Sequence, residues 1–307
     1  MHPSLKGKWL IGAILAVIFL VLAVPRTITA LSPSDKWGIS EDGLVTYPQN
    51  RGAVEYTKTV MNDTQAFTLS KIIYVSKGEE IYALLRVPKT IGAKKIPAII
   101  ILPGAEVTKE GMQDRAEKFA EWGYATLTID ERGNTGETKG AASLDSDYAS
   151  FAGGTEPVQH KMVFDVLRAF DFLKGEGYVD AKNIAVFGES MGGRYAIIAG
   201  AVEPRIKAVI GVSTSGYGSL GKQFSDGGVA RFFISIDPDA YIGKISGRKM
   251  LMVHSRNDTI VPIDAAQETF GYAKEPKEFI TVEYRTHGWH RDMAPPMEEE
   301  LRKIFSE

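Results

Sequence analysis

The sequence contains no cysteine, and this absence excludes several kinds of chemistry. Disulfide cross-links, thiolate metal sites and a catalytic thiol all require this side chain. A lipid anchor attached through an N-terminal cysteine is excluded for the same reason. Net charge is also low, because 36 lysines and arginines nearly balance 38 aspartates and glutamates, giving a formal net charge of −2. This balance does not favour a nucleic-acid partner.

Histidine, aspartate and glutamate do not cluster at the spacing of metal ligands, and no internal repeat or low-complexity tract is visible. We therefore expect neither a metal nor another cofactor. The 307 residues have an ordinary globular composition, 44% hydrophobic and 24% charged. This length suffices for one large core.

The longest apolar run lies near the N-terminus. Residues 9–24, "WLIGAILAVIFLVLAV", carry no charge and follow Lys6 and Lys8. A positive segment before an apolar one is the export pattern. The run is slightly shorter than the roughly 20 residues that span a bilayer, so two alternatives are open for residues 1–30. One is a signal peptide cleaved at Ala30, and the other is an uncleaved signal-anchor transmembrane helix. Both place the remainder outside the cytoplasm, either secreted or membrane-anchored.

Residues 31–65, which contain several glycines and prolines, are predicted to be a linker and lead-in to one domain over 66–307. In this domain, "TLSKIIYVS" and "EEIYALLRVP" flank Lys77 and Gly78 and predict a β-hairpin. Apolar strands and helical segments alternate after that point. This alternation predicts an α/β fold, with a mostly parallel twisted sheet and helices on both faces.

Two stretches, 133–155 and 214–247, are long and lack regular periodicity. Long irregular segments in a compact domain are often a lid or a binding rim, and ordinary surface loops are the alternative.

The pentad Gly188-Glu189-Ser190-Met191-Gly192 matches G-x-S-x-G. Alone it is a weak signal, because glycine and serine are common in this chain. Its context is more informative, because the strand pattern "NIAVFG" precedes the serine and the helical run "GGRYAIIAGAV" follows it. Such a junction presents Ser190 as a nucleophile. A tight turn without a catalytic role is the alternative.

A serine hydroxyl needs a base to accept its proton, and the chain offers five histidines. His287 and His290 in "EYRTHGWHRDM" follow the final predicted strand. Loops after parallel strands share one edge of the sheet, so both histidines are expected on the edge that carries Ser190. We favour His290, because six residues separate it from Tyr284 and let the chain curl back. His287 is the alternative base.

A carboxylate must orient the imidazole and stabilise its charged form. Asp258 follows the predicted strand "KMLMVHS" directly and is the candidate for this role. The order along the chain is then serine, acid, histidine.

With these residues, the sequence resembles the α/β-hydrolase superfamily, and most of all its dienelactone-hydrolase and prolyl-oligopeptidase-like branches. The similarity covers residues 68–305 and includes "GESMGG", "LPGAE" and "DERGNTGET". It implies that backbone N–H groups of Met191 and Ala105 form an oxyanion hole. One departure is visible, since Pro103-Gly104 stands where many relatives have His-Gly.

The resemblance implies a carboxylesterase-like serine hydrolase that acts on a small-molecule ester. A prolyl-oligopeptidase-like peptidase for short peptides is the alternative within the enzyme class. A non-catalytic, membrane-tethered binding protein is the alternative from another class. The sequence specifies neither the substrate nor the oligomeric state.

Overall fold

The structure, a computed structural model, describes residues 35–89, 95–140, 143–284 and 286–306. The predicted export segment, residues 1–30, lies outside these residues. Across the described ranges, no helix combines the length and the apolar character that crossing a membrane requires.

The domain is built from strands and helices that alternate after residue 95. The strands are β1 (Gly38–Ile39), β2 (Val45–Thr46), β3 (Tyr56–Asp63), β4 (Phe67–Ser76), β5 (Glu79–Pro88), β6 (Ile96–Leu102), β7 (Ala125–Ile129), β8 (Val179–Glu189), β9 (Ala208–Val212), β10 (Lys249–Ser255) and β11 (Lys277–Val282). The helices are α1 (Gln113–Glu121), α2 (Leu144–Ala152), α3 (Val158–Gly175), α4 (Met191–Val202), α5 (Gly227–Ile236), α6 (Pro238–Tyr241), α7 (Ile263–Gly271) and α8 (Ala294–Ser306). Short 3₁₀ turns lie at Glu110–Met112, Leu220–Gln223, Ile242–Ile245 and Arg291–Met293.

Nine of these strands form one sheet in the order β11-β10-β9-β8-β6-β7-β5-β4-β3. The strands from β11 to β7 are parallel, whereas β5, β4 and β3 continue the sheet in antiparallel pairing. The predicted hairpin around Lys77 and Gly78 is confirmed, because β4 pairs with β5 from Phe67 opposite Pro88 to Ser76 opposite Glu79.

Both faces of the parallel part of the sheet are covered, as β6 shows. Ala98, Ile100 and Leu102 face a core shared with α3 and α4, and the intervening Ile99 and Ile101 face a second core shared with α1 and α8. Alternating side chains of one strand therefore enter opposite cores, which explains the continuous apolar run in the sequence. The predicted fold class, a mostly parallel sheet with helices on both faces, is confirmed.

The structure differs from the expected linker over residues 35–65. The strands β1 and β2 pair with each other, and β3 forms the edge of the large sheet. The amide of Val45 donates to the Tyr241 hydroxyl at 2.7 Å, and the buried Arg51 guanidinium lies 2.7 Å from the Asp171 carboxylate. These partners are far away in sequence, so local periodicity gave no sign of them.

The two stretches predicted to be irregular also contain helices. One holds α2 after β7, and the other holds α5 and α6 after β9. Phe232 of α5 packs against Tyr148 and Phe151 of α2, with ring centroids 5.6 Å apart in both pairs. Both stretches leave the carboxyl ends of parallel strands, so the paired helices start from the same edge of the sheet as Ser190.

Candidate active site

Ser190 occupies a strained turn between β8 and α4. Its backbone has φ +54° and ψ −116°, a region that non-glycine residues rarely adopt and that costs about 1–3 kcal/mol. The Ser190 amide donates to the Val212 carbonyl at 2.9 Å, and the Thr214 hydroxyl donates to the Ser190 carbonyl at 2.7 Å. The surrounding backbone thus holds a half-buried serine at the end of a central strand.

The two glycines of the pentad are required by close backbone contacts. A Cβ at Gly188 would lie 2.2 Å from the Gly192 carbonyl oxygen, and a Cβ at Gly192 would lie 2.4 Å from the Pro103 carbonyl oxygen. The strand, the helix and the loop after β6 therefore meet within van der Waals distance around Ser190.

Asp258 pairs with His287. The Nδ1 of His287 lies 3.0 Å from both carboxylate oxygens of Asp258. Asp258 also accepts hydrogen bonds at 2.9 Å from the amides of Ile260 and Val261. Burial alone would raise the pKa of Asp258, but the hydrogen bonds from Val261, Ile260 and His287 outweigh burial and hold this pKa below its usual value. The carboxylate is therefore ionised and correctly placed to fix the His287 tautomer.

His290, the base favoured from the sequence, does not make this contact. Its Nδ1 lies 3.3 Å from Asp292, and its ring stacks on Tyr284 with centroids 3.5 Å apart. The expected pairing of Asp258 with His290 is therefore corrected to Asp258 with His287. The physical reason is local, because Gly288 adopts φ +83° and turns the chain immediately after His287.

Two other histidines are occupied elsewhere. His160 is buried, its Nε2 lies 2.8 Å from the Ser235 hydroxyl, and burial lowers its pKa to about 3. His254 donates from Nε2 to the Val261 carbonyl at 2.8 Å, which supports the turn that carries Asp258. Both side chains are buried and take part in packing and hydrogen bonding away from Ser190.

The candidate oxyanion donors lie on the two segments that flank Ser190. Met191 is the first residue of α4, and an amide in this position has no acceptor within its own helix. Ala105 belongs to the loop after β6, and in that loop a Cβ on Gly104 would lie 3.4 Å from the Ser190 Cβ. The loop therefore passes directly beside the serine.

Asn134 braces this loop and was missed in the sequence. Its Nδ2 donates to the carbonyls of Gly104 at 2.9 Å and Val107 at 3.2 Å, and its Oδ1 accepts from the Glu106 amide at 2.6 Å. The signal was present in "DERGNTGET", but only as part of a resemblance without a role for each residue.

Other residues of the same stretch anchor it in the protein. The Lys109 ammonium lies 2.7 Å from both Asp130 and Glu137. Arg132 forms a buried ion pair with Asp165 of α3 at 2.6 Å. These ion pairs fix the segment after β7 both to the loop after β6 and to α3.

With this geometry in view, comparisons with known proteins identify the fold. A protein-family model for acetyl xylan esterase (AXE1) matches residues 53–214. The chain is 28% identical over 141 residues to the uncharacterized protein YfhR of Escherichia coli O157:H7, and the match covers 44% of this chain and 49% of that protein. The matched region thus spans about half of that relative.

Solved structures give the same picture. The acetyl xylan esterase from Paenibacillus sp. R4 superposes with a TM-score of 0.71 at 19% identity, over 83% of this chain and 90% of that one. Est1E from Butyrivibrio proteoclasticus, solved with ferulic acid bound, gives 0.62 at 21% identity, over 76% and 99%. These likenesses confirm the α/β-hydrolase fold. Because the family model matches more than half of the sequence, the chain belongs to the acetyl xylan esterase (AXE1) family.

Proposed function

We propose that this protein is a serine esterase in which Ser190 is the nucleophile, His287 the general base and Asp258 the residue that orients the base. One observation carries the proposal: the Nδ1 of His287 contacts both oxygens of Asp258 at 3.0 Å, on the sheet edge where Ser190 follows the end of β8. Membership of an esterase family supports an ester as the substrate.

The proposed reaction uses these three residues in turn. The Ser190 Oγ attacks the ester carbonyl carbon while its proton passes to Nε2 of His287, and the carbonyl electron pair moves to oxygen. The amides of Met191 and Ala105 stabilise that oxyanion. The carbonyl then re-forms, the C–O bond to the alcohol breaks, and His287 returns the proton to the leaving alkoxide. Water repeats the attack on acyl-Ser190, releases the acid and restores the serine.

We propose short-chain acyl esters, acetyl esters first, as the substrate class. The matched family is named for acetyl xylan esterase, and the Paenibacillus neighbour carries the same name, which supports acetyl esters as the first substrates to try. Peptide amides are the alternative substrates that the sequence left open. No specific observation favours them, and the activity panel includes them for comparison.

The test is an activity panel on the full-length protein in mild detergent. It would comprise p-nitrophenyl acetate, butyrate and octanoate together with peptide p-nitroanilides. We expect turnover to be fastest on acetate or butyrate and to fall by at least about 10³-fold in Ser190→Ala, since the nucleophile is lost. The exposed Ser306→Ala is the matched control and should keep full activity. Turnover of the anilides alone would establish the peptidase alternative, and no turnover of any substrate would favour the binding protein.

A second comparison assigns the base. His287→Ala should abolish ester turnover, whereas His290→Ala should change it only a few-fold, because His290 faces Asp292 and Tyr284. Loss of turnover in His290→Ala but not in His287→Ala would instead identify His290 as the base, as first predicted from the sequence.

We also propose that residues 1–30 export the enzyme and that its substrate is met outside the cytoplasm. The support is the uncharged run at 9–24 behind two lysines. Fractionation of cells expressing the full chain tests this, with N-terminal sequencing to separate anchor from cleaved signal. Activity confined to the cytosol would contradict export.

A further inference from the structure

Glu189, the residue just before Ser190, is buried although the proposed reaction gives it no role. It is only 8% exposed. A buried carboxylate is costly unless it is paired and hydrogen-bonded, so its partners indicate what it does.

The partners come from two separate parts of the chain. From α1, the Arg115 Nη2 lies 3.3 Å from one Glu189 carboxylate oxygen and 3.2 Å from the other. The loop after β11 approaches the same carboxylate, and the backbone of Trp289 favours its charged form. Burial raises the pKa of Glu189, while Arg115, the backbone of Trp289 and the nearby His287 act in the opposite direction.

Gly288 shows how closely this loop approaches the carboxylate. A Cβ on Gly288 would lie 2.2 Å from the Glu189 Oε1, and the residue adopts φ +83°. Only glycine therefore fits this position without displacement. His287 is the residue immediately before it, so the Glu189 side chain lies against the segment that carries the base.

Trp289 secures the same loop on its apolar side. Its ring packs edge-on against Phe119 of α1 and Phe187 of β8, with centroids 6.0 Å and 6.1 Å apart. The loop after β11 is therefore held on two sides. Glu189 of β8, paired with Arg115 of α1, lies on its polar side, and Phe187 and Phe119 of the same two elements lie on its apolar side.

We propose that Glu189 is a positioning residue, which fixes the His287 loop against the nucleophile turn while Arg115 holds the Glu189 carboxylate in place. The proposal rests on the proposed esterase function, because it assigns Glu189 to the placement of the base relative to Ser190. Misplacement of a catalytic group by about 1 Å can cost about 10²-fold in rate, so such a clamp has a measurable effect.

The test uses variants of Glu189 with p-nitrophenyl acetate. Glu189→Gln keeps a side chain of the same size against the loop but loses the ion pair with Arg115, and we expect kcat to fall about 3- to 10-fold. Glu189→Ala loses both contacts and should lower kcat about 10²-fold. KM should stay within about twofold in both, because the Glu189 side chain is buried under the turn rather than exposed to solvent. Glu117→Gln, an exposed charge removal on α1, is the matched control and should leave kcat unchanged.

A double-mutant cycle adds a readout that general destabilisation would not reproduce. Gly288→Ala alone should lower kcat about 10²-fold, since its new methyl group meets the Glu189 Oε1. In the Glu189→Ala background the overlap with Oε1 is gone and only the backbone strain of an alanine at φ +83° is left, so the same substitution should cost less than about 5-fold. Non-additivity of this size reports a direct contact.

The outcomes separate the two proposals. Wild-type kcat in both Glu189 variants, or additive effects of Glu189→Ala and Gly288→Ala, would overturn the positioning role while leaving the esterase intact. A wild-type protein that neither turns over the ester nor reacts with a fluorophosphonate would overturn the esterase function, and the positioning role with it. If Glu189→Ala does not fold, Glu189→Gln and Gly288→Ala decide the question through their kcat and KM values.

Discussion

Gly192→Ala tests the packing that surrounds Ser190. The new Cβ would lie 2.4 Å from the Pro103 carbonyl oxygen, 2.5 Å from the Leu102 carbonyl oxygen and 2.7 Å from the Leu102 carbonyl carbon. All three are backbone atoms, so no side-chain rotation relieves the overlap. Ordinary contact begins at 3.4 Å, so α4 and the loop after β6 must separate by about 1 Å.

Two measurable effects should follow. Overpacking of this kind costs about 1–3 kcal/mol, which corresponds to several degrees of melting temperature in a domain of this size. Because the displaced loop carries the Ala105 amide, kcat on p-nitrophenyl acetate should also fall by about 10²-fold.

The assay combines calorimetry with steady-state kinetics, and Gly271→Ala serves as the matched control. Gly271 is also helical, at the end of α7, and an added Cβ meets nothing within 4 Å. The free energy of unfolding of this control should rise by about 0.5–1 kcal/mol, because alanine favours the helix over glycine, and its activity should be unchanged. If Gly192→Ala melts and turns over like the wild type, the loop does not lie against α4 as described, and the reasoning is refuted.

Four further predictions concern Asn134, Asp258 and the ion pair of Arg132 with Asp165. Asn134→Ala removes the hydrogen bonds that hold the loop after β6, so kcat should fall about 10-fold or more with little change in KM. An unchanged kcat would show that Asn134 does not position this loop for catalysis. Asp258→Asn should lower kcat by about 10⁴-fold, because an amide cannot hold His287 in the productive tautomer. The pKa of Asp258 is held below its usual value of 3.8, so its carboxylate stabilises the fold above that pH and the benefit is lost as pH falls through the lower folded pKa. The melting-temperature difference between wild type and Asp258→Asn should therefore be largest near neutral pH and shrink in acid, and a difference that grows in acid would contradict the sign. Arg132→Met leaves Asp165 buried without its partner and should cost about 3–5 kcal/mol in chemical denaturation, whereas Arg132→Met with Asp165→Leu should recover much of that loss; no recovery would contradict the pairing.

The parts of the fold that follow from a local sequence pattern could be predicted. The hairpin around Lys77 and Gly78 follows from two alternating strands and a glycine turn. The parallel sheet follows from apolar strands that alternate with helices, and the Ser190 turn follows from its small neighbours. In each case the determining contacts lie within a few residues or repeat with the period of the element.

The remainder depends on contacts between distant segments. The segment before β3 is ordered by partners such as Asp171, more than 100 residues away in the sequence. The helices α2 and α5 pack on each other through Phe232, a contact that neither stretch of sequence indicates alone.

The choice between the two histidines was also beyond local pattern. It depends on Gly288, whose positive φ and close approach to Glu189 turn the chain directly after His287. The length of chain between Tyr284 and His290 could not reveal this, because a glycine with positive φ changes the direction of the backbone within one residue. Asn134 was missed for a similar reason, since its three partners lie about 30 residues earlier.

The most direct test of the account is the rate and site of covalent labelling by a fluorophosphonate. Peptide mapping should find the adduct on Ser190, with similar labelling rates in wild type and His290→Ala and a fall of at least about 10³-fold in His287→Ala. An adduct on another residue, or fast labelling that survives His287→Ala but not His290→Ala, would contradict the assignment of Ser190, His287 and Asp258 as one catalytic unit.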